Sequence, residues 1–175
     1  RSAAGNVEGS SRITDAVLAA LAGADPVPAP GQGTMNNLTL AFGDRVYFET
    51  LAGGQGASDG ATGPSAVHVT MSNTLNTPIE ALEVAMPVRV ERYAIRRGSG
   101  GIGARNGGDG VVRRLRLLED ADVSLIAERC RSSPRGSAGG GDGAPGVTLV
   151  GDAPVGGKWR GRDRKSTRLN SSHGY

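Results

Sequence analysis

The sequence predicts an α+β chain, strand-dominated, made mostly of antiparallel hairpins with two short helices and long glycine-rich loops. Three observations predict it. Short runs of alternating apolar residues recur between turn signals. The 29 glycines among 175 residues cluster between those runs. Only two segments carry helical spacing.

The first helix is expected over residues 10–22, SSRITDAVLAALA, where Ser10 or Ser11 can cap and Ile13, Val17, Leu18 and Leu21 share one face. GADPVPAPGQG then breaks regular structure. NNLTLAF and DRVYFET read as a hairpin turning at Gly43-Asp44. Leu38, Leu40 and Phe42 share a face in the first strand. In the second, Val46 and Phe48 oppose Tyr47 and Glu49.

A glycine loop, Gly53 to Gly63, leads to AVHVTM, read as a strand with Val67, Val69 and Met71 on one face and His68 and Thr70 on the other. The second helix is expected near Pro78–Val84. Its TPIE start reads as a capping box, with Thr77 as N-cap and Glu80 at the third helical position. A strand follows in Pro87–Arg96, then a second glycine loop, GSGGIGARNGGDG. VVRRLRLL aligns Val111, Leu115 and Leu117, and the next run, with Val123, Leu125 and Ala127, is expected to pair with it. GSAGGGDGAPG closes the region.

The C-terminal string DRKSTRLNSSH, Asp163–His173, matches codon for codon the translation of a library adapter used in short-read sequencing. Residues 163–175 are therefore expected to be a non-biological tail, the alternative being a natural basic, Ser-rich one. Setting aside Arg164, Lys165, Arg168 and Asp163 reduces the 20 basic and 17 acidic residues to 17 and 16. The remaining charges interleave, which argues against nucleic acid. No apolar run approaches the roughly 18 residues of a membrane span. Cys130 is the sole cysteine, which excludes an internal disulfide and fits a cytoplasmic location. With 37% apolar and 3% aromatic residues, the core is thin. That composition points to a fragment of a larger fold or to a domain whose faces are covered by partners.

No catalytic motif is complete. GSGGIG, Gly98–Gly103, has dinucleotide-loop spacing, but ARNGGDG cannot start the helix such a loop needs. GDAPVGGKW misses phosphate-loop spacing by one and places Trp159 at the Ser/Thr position. Outside the 163–175 segment, one histidine and one cysteine assemble no metal site, and no two carboxylates are paired across a substrate. The capping box leaves Ser72, Asn73, Thr74 and Asn76 unexplained. Four polar side chains between a strand and a helix either tie down loops or face a ligand.

Six segments in order carry a resemblance. They are GNVEGSSRITDAVLAALAG, GQGTMNN, YFETLAGGQGASDG, HVTMSNTLNTPIEALE, RVERYAIRRGSGGIGARNGGDGVVR and GAPG. They resemble the hydantoinase B/5-oxoprolinase family, which includes N-methylhydantoinase B subunits and the C-terminal half of ATP-dependent 5-oxoprolinases. Acetone carboxylase subunits and caprolactamases are relatives. The resemblance identifies residues 1–162 as a C-terminal portion, about the last third, of a B-type domain. The family usually has Thr-Ser-Gln at Gly9-Ser10-Ser11 and often Arg at Asn106, departures that leave the substrate open.

The resemblance implies ATP-dependent hydrolysis of a cyclic amide, opening a lactam or hydantoin ring. It implies an A-type ATP-binding subunit or half as partner, carrying ATP and magnesium. A divalent metal belongs to the B-type N-terminal half, outside this chain, so no metal ligand carries over and the fragment is expected to be inactive alone. His68, Asn73 and Asn76, supported by Asn36 and Asn37, are the expected substrate-binding residues. Two alternatives stand beside this: a non-catalytic scaffold at the subunit interface, and an acetone-carboxylase-type subunit.

Overall fold

A computed structural model describes residues 7–21, 28–33, 35–165 and 167–173. Among the described residues, two helices and nine strands run in the order α1 (Val7–Leu21), β1 (Asn36–Phe42), β2 (Arg45–Leu51), α2 (Ile79–Ala85), β3 (Val88–Arg96), β4 (Gly110–Leu117), β5 (Ala121–Ile126), β6 (Val147–Val150), β7 (Ala153–Val155), β8 (Lys158–Asp163) and β9 (Arg168–His173). They form a four-stranded sheet, β2-β1-β5-β8, and a five-stranded sheet, β3-β4-β9-β6-β7. All pairings between strands are antiparallel. The α+β, strand-dominated expectation holds.

The β1–β2 hairpin forms as expected, with Phe42 opposite Arg45 and Gly43 at φ 62° in the turn. The expected pairing of the 111–117 and 123–127 runs does not form. β4 pairs with β3 and β9, whereas β5 pairs with β1 and β8. The short link after Leu117 crosses between sheets instead of closing a hairpin. Leu115 and Leu117 still meet Val123 and Leu125, but through the common core. That core takes Leu38, Leu40 and Phe42 from one sheet and Val88 and Leu169 from the other, with Leu82 of α2.

The run 67–71 also departs from expectation. Val67 makes one isolated bridge to Gly53, and the chain then turns at Thr70, whose φ is 52°. A β-branched residue in the left-handed region is a strained position. Val69 is buried while Met71 is exposed, so the predicted shared face is split.

α1 starts earlier than expected. Ser10 lies within it and donates back to the Val7 carbonyl (3.2 Å), and any cap before Val7 lies outside the described residues. Its apolar face, Ile13, Val17 and Leu21, is exposed, while Ser11 and Asp15 point inward. The inward face is chosen by Asp15, which accepts the Gly31 amide (3.1 Å) and pairs with Arg129 (2.6 Å). β2 shows the same inversion: Tyr47 and Glu49 are buried, Val46 and Phe48 exposed.

Residues 163–175, expected to be a non-biological tail, enter the fold as far as they are described. Asp163 ends β8, and β9 sits between β4 and β6 with Leu169 in the core. Backbone ladders need no particular sequence, and alternation at Leu169 supplies the one apolar side chain the slot requires.

The glycine loops are close-packed against one another. A Cβ on Gly54 would overlap the Gly108 carbonyl, and a Cβ on Gly108 would overlap that of Pro64. Gln55 and Pro64 are joined by a backbone hydrogen bond (3.1 Å), as are Gly108 and Gln55 (2.9 Å). Gly108→Ala is therefore expected to destabilise by about 1–3 kcal/mol. Gly60→Ala, with open space around it, should stay within about 0.5 kcal/mol in the same urea titration.

Candidate functional site

Strand alternation carries charge into the interior at two positions. In β2, Tyr47 and Glu49 share the inward face with Leu51. In β4, Arg113 shares it with Val111, Leu115 and Leu117. Arg113 and Glu49 form an ion pair whose side chains are 2% and 4% exposed. The Tyr47 hydroxyl donates to Glu49 Oε2 (2.6 Å) and accepts from Arg113 Nη2 (3.3 Å). The guanidinium also lies 5.2 Å over the Tyr93 ring. Burial, reinforced by the bond to Glu49, pushes the Tyr47 phenol far above its ordinary range. Burial raises Tyr93 as well. Both therefore remain neutral, and Tyr47 keeps its proton for Glu49.

The other oxygen of Glu49 connects this cluster to the polar stretch 72–77. Oε1 accepts the Thr77 amide (3.3 Å). At the opposite end, both the Ser72 amide and its hydroxyl donate to the carbonyl of buried Val69 (each 3.2 Å). Between these anchors Asn73, Thr74, Leu75 and Asn76 are exposed, Leu75 to 97%. His68 Nε2 lies 3.2 Å from the Thr74 hydroxyl, while its Nδ1 is buried without a partner. Burial lowers the His68 pKa, opposed by the charge of Glu49, so the ring is neutral at pH 7.

This geometry corrects the capping-box expectation. Pro78 occupies the cap of α2, and no side-chain cap hydrogen bond closes it. Glu80 is exposed, and the Thr77 amide is taken by Glu49. A carboxylate from a distant strand has replaced the local one.

His68, Asn73 and Asn76 thus lie on one presented loop. Asn36 and Asn37 lie buried in β1, engaged within the fold: Asn36 Oδ1 accepts the Glu128 amide (3.1 Å), and Asn37 Oδ1 accepts from Thr50 (2.9 Å). Sequence reading missed Tyr47, Glu49 and Arg113 as a unit. The available signal was a Glu and an Arg on the parity of buried leucines.

The discarded motifs stay discarded. The Ser99 and Gly100 amides of GSGGIG donate to Asp109 Oδ1 (2.8 and 2.9 Å), so the chain's own carboxylate fills the anion position. Residues 151–159 form the β6–β7 turn and lead into β8, with Gly151 at φ 61°. Among the described residues, no three His, Cys, Asp or Glu side chains group to hold a metal. No described helix is long and apolar enough to cross a membrane.

Comparison with known proteins places the chain. It is 45% identical over 148 residues to a 5-oxoprolinase of Dictyostelium discoideum, covering 83% of this chain and 11% of that protein. It is 44% identical over 148 residues to 5-oxoprolinase 1 of Arabidopsis thaliana, with the same coverage. The chain therefore spans about a ninth of the length of these relatives. Its fold matches an ATP-dependent caprolactamase from Pseudomonas jessenii at a TM-score of 0.71 and 20% identity, over 90% of this chain and 31% of that one. The hydantoinase B/oxoprolinase family model matches residues 2–173, nearly the whole sequence, and the chain belongs to that family.

Proposed function

We propose that this chain is part of an ATP-dependent enzyme that opens a cyclic amide of the 5-oxoproline or hydantoin type, and that loop 68–77 forms one wall of its substrate cavity. The observation that carries the reading is the anchoring of that loop. Glu49, held by Arg113 and Tyr47, fixes Thr77, and Val69 fixes Ser72, so Asn73 and Asn76 project from a rooted backbone.

The chemistry of the loop suits the substrate. In a small lactam ring the amide is held cis, so its C=O and N–H lie on one edge. An asparagine carboxamide offers a donor and an acceptor side by side and matches that edge with two hydrogen bonds. Neutral His68, whose Nε2 lies 3.2 Å from the Thr74 hydroxyl, stands beside the loop. These residues position the substrate.

Amide resonance makes the ring carbonyl a poor electrophile, and activation by ATP is the reason for an A-type ATP-binding partner. In this reading a metal used by the whole enzyme is held by residues outside this chain. The exposed apolar face of α1 and the outward Val46 and Phe48 of β2 support neighbouring protein over those surfaces. They also favour a second reading, in which this region is an interface scaffold. The likeness in fold to an acetone carboxylase, at a TM-score of 0.60, keeps a carboxylase-type assembly as a further alternative.

Asn73→Ala, placed at the matching position of a full-length 5-oxoprolinase, is expected to lower kcat/KM about tenfold while leaving the fold intact. Normal ATP-dependent ring opening with unchanged substrate affinity would leave the loop a structural role only.

A further inference from the structure

The outward face of the five-stranded sheet carries a cluster of arginines. In β4, Arg113, Leu115 and Leu117 face the core, so Arg114 and Arg116 face out. In β3, Val88 and Val90 face the core, and the register shifts between Val90 and Arg92. That bulge lets Glu91 and Arg92 together oppose one residue of β4 and brings both to the outer side. The register then sets like against like. Arg89 lies opposite Arg116, and Arg92 lies opposite Arg114. Arg168 of β9 extends the first row, but it belongs to the 163–175 segment, and the site does not rest on it.

The two rows differ in how their charge is met. Glu91 pairs with Arg116 and with Arg168 (3.1 Å), and Glu83 of α2 reaches Arg89 (3.4 Å). Asp120 and Asp152 sit in turns toward the Arg168 end. Asp120 accepts the Lys165 amide (2.9 Å), and neither carboxylate pairs with an arginine of this face. Among the described residues, no carboxylate lies within ion-pair reach of Arg92, which is exposed, or of Arg114, which is half-buried. Like charges directly opposite on paired strands destabilise a sheet. The second row is therefore a cost to the chain that nothing inside it offsets. Beyond that row, Ala94 opposite Val112 makes a half-buried strip of small apolar side chains.

We infer that this face docks an acidic segment of a partner protein, whose carboxylates lie across Arg92 and Arg114 and whose neighbouring apolar side chain covers Ala94 and Val112. Charge complementarity carries the choice of occupant. A carboxylate set between two guanidiniums accepts from both and turns their repulsion into attraction. The size of the patch selects protein over nucleic acid. Adjacent strands lie about 4.8 Å apart and alternate residues about 6.8 Å apart, so the unmet charge has the footprint of one or two carboxylates. Glu91 and Glu83 flank it on the side of the first row and would repel a run of phosphates.

The inference does not rest on the 68–77 loop. It is tested by NMR titration of the full 175-residue chain with a synthetic amphipathic helical peptide bearing Glu and Leu, with its Gln-for-Glu counterpart, and with a short DNA duplex. The Glu peptide should give saturable shifts at the Arg92 and Arg114 Nε–H signals, and the Gln peptide none. Arg92→Gln and Arg114→Gln should each weaken binding about tenfold. Arg160→Gln, outward on β8 in the other sheet, should leave it unchanged. Backbone amide shifts away from the face show whether each variant keeps its fold. Overturning results are no saturable shift at either arginine, equal binding of the Gln peptide, a loss in Arg160→Gln as large as in the other two variants, or DNA binding more tightly than the Glu peptide.

Discussion

Removing residues 163–175 is expected to dismantle the five-stranded sheet. β9 is the only described strand joining β4 to β6, and without it the sheet divides into the β3–β4 and β6–β7 ribbons. Two-stranded ribbons are marginal in water. Leu169, 4% exposed, leaves the core at the same time. Leu169→Ala alone should destabilise by about 2–5 kcal/mol. The full truncation should exceed that and consume most of a stability on the order of 5–15 kcal/mol. Urea denaturation of residues 1–162 should show a broad transition at a much lower midpoint, with association through the opened edges of β4 and β6. A cooperative transition at the midpoint of the whole chain would show that β9 is not part of the sheet. The expectation does not depend on the origin of this segment, because the ladder is made by backbone and the core contact by one leucine.

Breaking the interior ion pair is the second large effect. Glu49→Ala leaves Arg113 buried without its counter-charge and should destabilise by about 3–5 kcal/mol; Arg113→Ala should do the same by stranding Glu49. The double replacement Glu49→Leu with Arg113→Met should recover most of that loss, because two buried charges disappear together. Chemical denaturation of the three variants measures this as a coupling energy. Recovery of stability in the double variant would show that the pair is not there for stability. It would leave the tethering of Thr77 as its role. If the double variant is as unstable as the singles, the pair is a packing element and the argument from anchoring weakens.

Much of the fold is legible before any coordinates. The β1–β2 hairpin is declared by alternation on both sides of Gly43-Asp44, and α2 by apolar spacing after Pro78. Strand pairing is less legible. Alternation in 111–117 and 123–127 says which side chains face inward but not which strand lies alongside, and here the two runs meet across the core. The run 67–71 has a strand's composition, but a left-handed turn at Thr70 ends it, and that turn is set by tertiary contacts. β6 and β7 are too short, and too interrupted by glycine and proline, to register as strands. α1 misleads in another way: its apolar stripe is real, but Asp15 and Arg129, far apart in sequence, decide which side faces the protein.

The candidate site was half legible. The polarity of 72–77 marks the loop, and the lone His68 beside it is conspicuous. Its anchor was hidden because Glu49 and Arg113 lie in separate strands of separate sheets, and no spacing rule links them. Each did carry a warning, since both sit on the parity of buried leucines.

The central claim is that Glu49 roots the 72–77 loop, and amide hydrogen exchange at Thr77 tests it most directly. In Glu49→Gln the charge that binds Arg113 and attracts the Thr77 N–H is gone while the side-chain size is kept. The account predicts that Thr77 then exchanges at least about tenfold faster relative to the β1 amides, which report any general loss of stability. An equal change at Thr77 and in β1 would contradict it.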